Sequence, residues 1–306
     1  MAEFKTVGVI GKLHDPRVAP TLRALCQHLH ARGCTVLLDR ASAPTASIPG
    51  IQTVSRAELS RRSDLAVVVG GDGTLLNAGR TLAPAGVPIL GVNQGRLGFM
   101  VDVTPEDMLA TLDQVLKGRY VRERRLMLST EIHRSKKKRG PFLAINDVVI
   151  RNKAAVRMLE FETWLGLDAE WEFISQHRAD GLIVSTPTGS TAYALSGGGP
   201  VLYPGLEALA LVPICPHTLS DRPVVVSCDR SVRIVLGGAS HVRAMCTSDG
   251  QQNETLRPGD AVVITRSPHA LELIHPENYR YFDILRNKLH WGSERRDAGG
   301  TRGGKN

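Results

Sequence analysis

The sequence has few aromatic residues and no paired cysteines. Aromatic residues make up 5% of the 306 residues, so a folded core must be mainly aliphatic. The five cysteines are odd in number and none of them forms a C-x-x-C pair, which argues against a disulfide framework and against a structural zinc site. A reducing compartment is the simplest explanation of this pattern, and we therefore expect a cytoplasmic protein.

Long apolar runs and targeting signals are also missing. No run of apolar residues reaches the length that a membrane span requires, so we expect no membrane association. The first residues, MAEFK, include an acidic residue and no apolar segment, so we expect no signal peptide. The contents of hydrophobic residues, 42%, and of charged residues, 22%, are those of an ordinary globular protein.

Basic residues outnumber acidic ones, which gives a formal net charge of +8. Much of the excess is local. The basic run at residues 134–139 is typical of a hairpin tip, and we predict that the tail at residues 293–306 is disordered. Basic charge suits anionic partners, including nucleic acid. Solvated local charge explains the distribution better, so we expect no nucleic-acid partner.

The first part of the sequence alternates between strand-like and helix-like segments. Apolar strand-like runs occupy residues 4–12, 34–39, 64–69 and 87–92, and helical patterns lie at 20–31, 75–82 and 105–117. Thr104 is expected to cap the last of these helices, with Pro105 at its first position. This βαβα order predicts a doubly wound parallel sheet over residues 1–122, in the α/β class.

The pattern changes near Arg122. Residues 123–274 contain many short β-branched runs separated by glycine, proline, asparagine and aspartate, and few helical patterns intervene. They predict a C-terminal all-β, sandwich-like domain. A helical pattern returns at residues 279–289, and we expect the segment 275–292 to pack on the N-terminal domain.

The strongest motif is Gly70-Gly71-Asp72-Gly73-Thr74, which lies between an apolar strand and a helix. A glycine turn in this position presents backbone N–H groups to phosphate, so we predict that the glycines and Thr74 bind phosphate. No lysine follows the turn, which excludes a P-loop. Asp72 would repel phosphate unless it accepts a proton from an attacking hydroxyl or helps to hold Mg²⁺. A tight turn with a capping aspartate is the alternative.

Two shorter segments carry further candidate residues. The glycine-rich segment 91–99 follows the next strand and should reach the same edge of the sheet. Its Phe99 could lie against a base or a ribose, although a place in the core is the alternative. Asn146 and Asp147 precede another strand, and an amide beside a carboxylate suits a ribose diol. Taken alone, this pair is typical of an ordinary turn.

The longest motif runs from residue 178 to residue 200. A strand enters a loop rich in hydroxyl groups, which is followed by small residues and a second glycine turn. This density of hydroxyl and N–H groups predicts a polar cradle for a nucleotide. Tyr193 could stack on a base there, and Ser196 could bond to it. A serine- and threonine-rich loop without a ligand is the alternative.

Together these motifs resemble those of the bacterial NAD kinases. The GGDGT turn, the Asn146-Asp147 pair, the block DGLIVSTPTGSTAYALSGGGP and the stretch 216–223 follow one another in that family's order. The resemblance covers about Val7 to Trp291. It implies an ATP- and Mg²⁺-dependent enzyme that phosphorylates the 2′-hydroxyl of the adenosine ribose of NAD. It also implies a dinucleotide site between the two domains and a homodimer or homotetramer.

The resemblance also implies roles for individual residues. Asp72 corresponds to the proton acceptor. The implied dinucleotide contacts are Asp72, Gly73, Asn146, Asp147, Arg157, Arg178, Asp180, Thr191, Ala192, Tyr193, Ala194, Leu195, Ser196 and Gln251. Members of the family differ at positions 157 and 178, which leaves the preference between NAD and NADH open. The choice between ATP and polyphosphate as donor is open as well.

Two other functions fit parts of the sequence. A lipid kinase with the same two-domain plan has a similar glycine turn, but it should offer an apolar groove instead of the hydroxyl-rich block. A non-catalytic NADP sensor would need the dinucleotide contacts without the acid. Asp72 and the intact glycine turn argue against a sensor, and an activity assay decides between them.

Overall fold

The computed structural model describes residues 4–43, 48–95, 98–153, 158–167, 170–218, 220–238 and 244–290. Within these ranges the helices are α1 (Ala19–Ala31), α2 (Arg56–Arg62), α3 (Asp72–Leu82), α4 (Met108–Val115), α5 (Tyr193–Ser196) and α6 (Tyr281–Leu289). The strands are β1 (Thr6–Gly11), β2 (Thr35–Asp39), β3 (Gln52–Val54), β4 (Leu65–Gly70), β5 (Ile89–Asn93), β6 (Val121–Arg134), β7 (Lys137–Ala144), β8 (Asp147–Asn152), β9 (Leu159–Leu167), β10 (Glu170–Ala179), β11 (Gly181–Ser185), β12 (Ala208–Ile214), β13 (Val224–Ser227), β14 (Ser231–Leu236), β15 (Ala244–Ser248), β16 (Gln252–Leu256) and β17 (Ala261–His275). None of the helices in this part of the chain combines the length and the apolar character needed to cross a bilayer.

The N-terminal strands form a parallel sheet with helices on both faces. The strand order is β3-β2-β1-β4-β5, and every neighbouring pair is parallel. Buried apolar residues of α1 and α4 pack on one face, and those of α2 and α3 pack on the other. The strands predicted from apolar runs correspond to β1, β2, β4 and β5. The predicted doubly wound α/β sheet is therefore confirmed.

The C-terminal strands form a sandwich, as predicted, but one of its sheets continues the parallel sheet. The long strand β17 pairs with β5 in parallel through its last residues, where Leu273 lies opposite Ile89. Along most of its length β17 pairs with β6 in antiparallel orientation. The second sheet has the order β13-β12-β11-β8-β15-β16. Aliphatic residues from both sheets form one buried cluster between them, so the sandwich encloses its own core.

Two details of the N-terminal region differ from the sequence-based expectation. The hydroxyl of Thr104 accepts the N–H of Asp107, as a cap does, but this caps a turn and α4 begins only at Met108. The elements β3 and α2 were not predicted. The hydroxyl of Ser55 accepts the N–H of Glu58 and caps α2, which is too short to show a clear apolar period.

A buried polar cluster joins the end of β17 to β6 and to the hydroxyl-rich loop. His275 lies 2.9 Å from a carboxylate oxygen of Asp102 and 3.2 Å from one of Glu123. Burial acts to lower the pKa of His275, but its interactions with these two carboxylates outweigh burial and raise the pKa above the ordinary value. Arg125 binds Glu123 at 2.7 Å and reaches Thr188 at 3.4 Å. The cluster therefore connects the loop of residues 186–191 to the large sheet.

Candidate active site

The predicted phosphate-binding turn joins β4 to α3 at the carboxyl edge of the parallel sheet. Gly70 ends β4, and Asp72 is the first residue of α3. A side chain at Gly70 would place its Cβ 2.5 Å from the hydroxyl of Thr74, so glycine is needed where the helix folds back on the strand. A cavity of about 600 Å³ adjoins the turn and is lined by Gly71, Gly73, Thr74, Lys12 and Arg56. N–H groups at a helix start and two cations therefore surround a space that suits phosphate.

Asp72 connects the two glycine-rich segments. Its carboxylate accepts the backbone N–H of Phe99 at 2.9 Å and that of Met100 at 3.1 Å. A Cβ added at Gly98 would lie 2.1 Å from a carboxylate oxygen of Asp72, so the loop approaches as closely as glycine permits. Each carboxylate oxygen has a second lone pair beyond these bonds. The acid is thus held in one orientation and can still accept a further proton or a cation.

Asn146 lies in the turn between β7 and β8 and Asp147 is the first residue of β8, and a third acid shapes that turn. The carboxylate of Asp249 accepts the backbone N–H groups of Ile145 at 3.0 Å, of Asn146 at 2.7 Å and of Asp147 at 3.3 Å. The side-chain oxygen of Asn146 is buried and has no partner among the described residues. Buried polar atoms are normally satisfied, so this oxygen marks a place where a ligand group fits.

A second cavity lies beside this pair. It has a volume of about 330 Å³, and its lining includes Asn146, Asp147, Ala192, Tyr193, Thr247 and Asp249. Burial and, second, the charge of Asp249 raise the pKa of Asp147 to about 7. The structure therefore brings together the predicted ribose-diol pair and the residues at the end of the hydroxyl-rich loop.

Several hydroxyl groups of the hydroxyl-rich loop bond to the protein's own backbone. The hydroxyl of Thr186 donates to the carbonyl of Ile145 at 2.6 Å, and that of Ser190 donates to Pro187 at 2.6 Å. The Ser190 hydroxyl also accepts the N–H of Leu202 at 2.9 Å. The loop ends in the short helix α5, where the side chain of Tyr193 is 46% exposed. The hydroxyls thus shape the loop, and its exposed end is what faces the second cavity.

Comparison with known proteins gives the family. The family model "ATP-NAD kinase N-terminal domain" matches residues 7–120, and "ATP-NAD kinase C-terminal domain" matches residues 145–276. The chain belongs to the NAD kinase family. Similar relatives include the NAD kinase of Hahella chejuensis, 44% identical over 302 residues that cover 98% of this chain and 100% of the relative. The NAD kinase of Pseudoalteromonas translucida is 45% identical over 291 residues, which cover 95% of this chain and 98% of the relative.

Solved structures from the NAD kinase family share the fold. A crystal structure of an Archaeoglobus fulgidus NAD kinase in complex with ATP is 28% identical and has a TM-score of 0.72, with 93% of this chain and 98% of that chain covered. A crystal structure of yeast NADH kinase complexed with NADH has a TM-score of 0.86 at 22% identity, with 97% of this chain and 90% of that chain covered. At that identity the yeast structure shows the fold alone.

Two residues implied by the NAD kinase family, Arg178 and Asp180, do not themselves line either cavity. Arg178 lies near the end of β10, and Asp180 directly precedes β11, whose first residue, Gly181, pairs with Arg151 in the lining of the second cavity. Arg178 is exposed and lies 3.4 Å from Glu160. A role for both in binding stays a prediction.

The structure leaves the expectations for Phe99, Arg157 and the basic tail untested. The ring of Phe99 is half-buried, and the Lys288 ammonium lies 5.9 Å from its centroid. Contact of Phe99 with a base or ribose remains a prediction. Arg157 and the basic tail at residues 293–306 lie outside the described residues.

Sequence reasoning did not identify Arg80 and Asp249, which adjoin the candidate site. Arg80 lies on α3 and binds Asp249 at 2.7 Å, with both side chains buried. The Asp-Gly dipeptide at residues 249–250 indicates a turn. Nothing in the local sequence indicates that its carboxylate accepts three N–H groups from a distant loop.

Replacing Ser190 by alanine is expected to lower the free energy of unfolding by about 1–3 kcal/mol, because the buried N–H of Leu202 loses its acceptor. Urea denaturation of the variant and of wild-type protein measures this difference. Ser227→Ala removes an exposed hydroxyl and is the matched control, with no change expected. Equal stability of Ser190→Ala and wild type would show that this hydroxyl is not part of the framework.

Proposed function

We propose that this chain transfers the γ-phosphoryl group of ATP to the 2′-hydroxyl of the adenosine ribose of NAD, which gives NADP and ADP. Family membership supports the activity, and one structural observation supports the assignment of the site. The cavity beside the glycine turn and the cavity beside Asn146 share one turn. Gln251 lines the first cavity, while Asp249 and Gly250 line the second. A donor phosphate and an acceptor ribose bound in these cavities would therefore meet.

The first cavity suits the donor. Backbone N–H groups at the start of α3 would bind the phosphates of ATP, with Gly71, Gly73 and Thr74 lining the space. Lys12 and Arg56 also line this space and bring positive charge to it, although Lys12 pairs with Asp15 at 3.2 Å and Arg56 with Asp39 at 2.7 Å. A larger cavity of about 750 Å³ shares Leu13, Arg56 and Asn77 with the first and leaves room for the nucleoside of ATP.

Replacing Arg56 by alanine is expected to raise the KM for ATP by about 10- to 100-fold, since a hydrogen bond to a charged group contributes about 1.5–3 kcal/mol. The KM for NAD should stay the same, because Arg56 does not line the second cavity. Steady-state kinetics with each substrate varied in turn measures both values. Arg56 also binds the buried carboxylate of Asp39 at 2.7 Å, so the thermal unfolding of Arg56→Ala is compared with that of wild type. Arg61→Ala removes an exposed arginine from the same helix and is the control for the loss of one positive charge. An unchanged KM for ATP in Arg56→Ala would remove this residue from the donor site.

The second cavity suits the acceptor. We propose that Asn146 and Asp147 bind the diol of the adenosine ribose and that Tyr193 lies against the adenine. The remaining contacts implied by the family belong to the same proposal: Gly73, Arg157, Arg178, Asp180, Thr191, Ala192, Ala194, Leu195, Ser196 and Gln251. In the transfer step the 2′-oxygen attacks the γ-phosphorus in line with the bond to ADP. Asp72 accepts the hydroxyl proton as the new P–O bond forms.

Mg²⁺ fits the residues beside the glycine turn. The described part of the chain contains no group of three or more acidic, histidine or cysteine side chains that could enclose a metal ion. Mg²⁺ that binds together with substrate phosphates needs only one or two carboxylates, because phosphate oxygens and water complete its coordination. Asp72 supplies such a carboxylate at the start of α3. When bound with ATP, the ion would neutralise charge on the phosphates.

The domain division, the compartment and the assembly complete the proposal. Residues 1–122 would bind mainly the donor and residues 123–274 mainly the acceptor, with 275–292 returning to the first domain. The five cysteines are free thiols, which suits a reducing cytoplasm. A homodimer or homotetramer would cover exposed apolar side chains such as Tyr203, Phe282 and Val225. Light scattering after size-exclusion chromatography tests the assembly.

The decisive assay measures formation of NADP⁺ from NAD⁺ and Mg-ATP by the purified chain, detected with an NADP-specific dehydrogenase. We expect product that depends on both substrates. No product from folded protein that still binds NADP⁺ would favour a sensor. If the folded protein neither forms product nor binds a dinucleotide, the proposed function is overturned altogether.

A further inference from the structure

The buried residue Arg80 binds two residues that line the two cavities, Asp249 and Gln251. Arg80 lies on α3, eight residues after Asp72 and therefore about 12 Å further along the helix axis. One guanidinium nitrogen lies 2.7 Å from a carboxylate oxygen of Asp249, and another donates to the side-chain oxygen of Gln251 at 2.5 Å. The Arg80 and Asp249 side chains are 6% and 0% exposed. The planar guanidinium thus fixes two residues of the turn at 249–251 relative to α3.

The contact between Arg80 and Asp249 bears on the position of the ribose-diol pair, Asn146 and Asp147. While Asp249 binds Arg80, its carboxylate also accepts the N–H groups of Ile145, Asn146 and Asp147. The N–H of Asp249 donates to the carbonyl of Asp147 at 2.9 Å, so the two turns are bonded in both directions. Asp249 has a φ of 51°, in the left-handed region that aspartate tolerates better than most residues. The position of Asn146 and Asp147 therefore depends on the position of Asp249.

The contact between Arg80 and Gln251 bears on the position of the phosphate-binding turn at Gly73. The side-chain amide of Gln251 accepts from Arg80 with its oxygen and donates with its nitrogen to the carbonyl of Gly73 at 2.9 Å. Arg80 thereby orients the amide, because the oxygen must face the guanidinium and the nitrogen must face Gly73. The same guanidinium holds the backbone of the phosphate turn on one side and the ribose-diol turn on the other.

We propose that Arg80 and Asp249 are positioning residues, which set the distance between the Gly73 turn and the Asn146-Asp147 pair and so align the acceptor hydroxyl with the donor phosphorus. This inference rests on the proposed function. Arg80 lines the 750 Å³ cavity but neither the cavity beside Gly73 nor the one beside Asn146. It therefore acts through Asp249 and Gln251. A buried ion pair is a weak source of stability compared with apolar groups of similar volume, so a geometric role explains its presence better.

The test separates alignment from folding and from binding. Arg80→Met alone leaves the Asp249 charge buried without a partner and can prevent folding. The double variant Arg80→Met, Asp249→Asn removes both charges, and the asparagine oxygen can still accept N–H bonds from the 145–147 turn. We expect this variant to fold and to have a kcat about 10²-fold below wild type, because a displacement of about 1 Å costs that much. The KM values for ATP and NAD should change less than kcat, because each of these two cavities loses only one lining residue, Arg80 from the 750 Å³ cavity and Asp249 from the cavity beside Asn146.

Conservative and control variants complete the experiment. Arg80→Lys keeps the charge but loses the fork, so its kcat should lie between those of wild type and the double variant. Arg134→Met, Asp260→Asn removes another ion pair, 2.6 Å long, outside the site, and should leave kcat unchanged. A folded Arg80→Met, Asp249→Asn variant with wild-type kcat would overturn the inference, and so would a rise in either KM with kcat unchanged. Absence of NADP formation by wild-type protein would instead overturn the proposed function.

Discussion

Replacing Asp72 by asparagine is expected to lower the turnover number by about 10²–10⁴-fold, the usual contribution of a general base. Asparagine keeps the size of the side chain but removes the charge and the group that accepts the proton. The same loss would follow if the carboxylate mainly holds Mg²⁺, because the phosphate charge would then be poorly neutralised. Measurement of kcat and of both KM values with coupled detection of NADP⁺ gives the effect.

The surroundings of Asp72 supply the control. Asparagine can accept only one of the N–H bonds from Phe99 and Met100, so part of the loss could come from a displaced loop. Gly98→Ala keeps the carboxylate, but its Cβ would lie 2.1 Å from the Asp72 oxygen and displace the acid. We expect a lower kcat in Gly98→Ala as well, with thermal unfolding of both variants near that of wild type. Near-normal turnover in folded Asp72→Asn would exclude both roles for this acid.

Replacing Asp147 by asparagine is expected to change how stability depends on pH. The pKa of Asp147 rises from an ordinary 3.8 to about 7, which corresponds to about 4 kcal/mol. Between these pH values the folded state holds a proton that the unfolded state has released, so the stability of wild-type protein falls as the pH rises. Relative to wild type, the variant should therefore gain up to about 4 kcal/mol between pH 4 and pH 8.5.

Urea denaturation of both proteins across this pH range measures the difference. Asp229→Asn removes an exposed acid and is the matched control, whose curve should run parallel to that of wild type. The comparison of slopes is unaffected by a constant cost of burying the asparagine amide. Parallel curves for wild type and Asp147→Asn would show that burial and the charge of Asp249 do not raise the pKa of Asp147 in the folded protein. A gain in stability on removal of this acid would also indicate that it is retained for binding.

The elements that the sequence predicted well are those with strong local patterns. The apolar runs of β1, β2, β4 and β5 and the helical period of α1 are visible without any tertiary information. The short elements β3 and α2 were missed, because three and seven residues are too few to show a period. The predicted start of α4 was wrong because a capping threonine also caps an isolated turn.

The candidate site divides in the same way. The glycine turn and the Asn146-Asp147 pair stand out in the sequence, because glycine, asparagine and aspartate have distinctive backbone preferences. The hydroxyl-rich loop was also visible, but the sequence could not separate its inward-facing hydroxyls from its exposed end. Composition shows that a hydroxyl is present, whereas only packing shows whether Ser190 bonds to Leu202 or faces a ligand.

The sequence by itself determined the two-part α/β and all-β plan, the phosphate-binding turn and the family. Only the tertiary structure decided that Asp72 is bound by the loop at residues 98–100, and that Arg80 meets Asp249 across 169 residues of chain. Local patterns arise from residues a few positions apart, which share one turn of helix or one strand. Contacts across such a separation depend on sheet register and on the packing of α3 against the sandwich, and no neighbouring residues encode these.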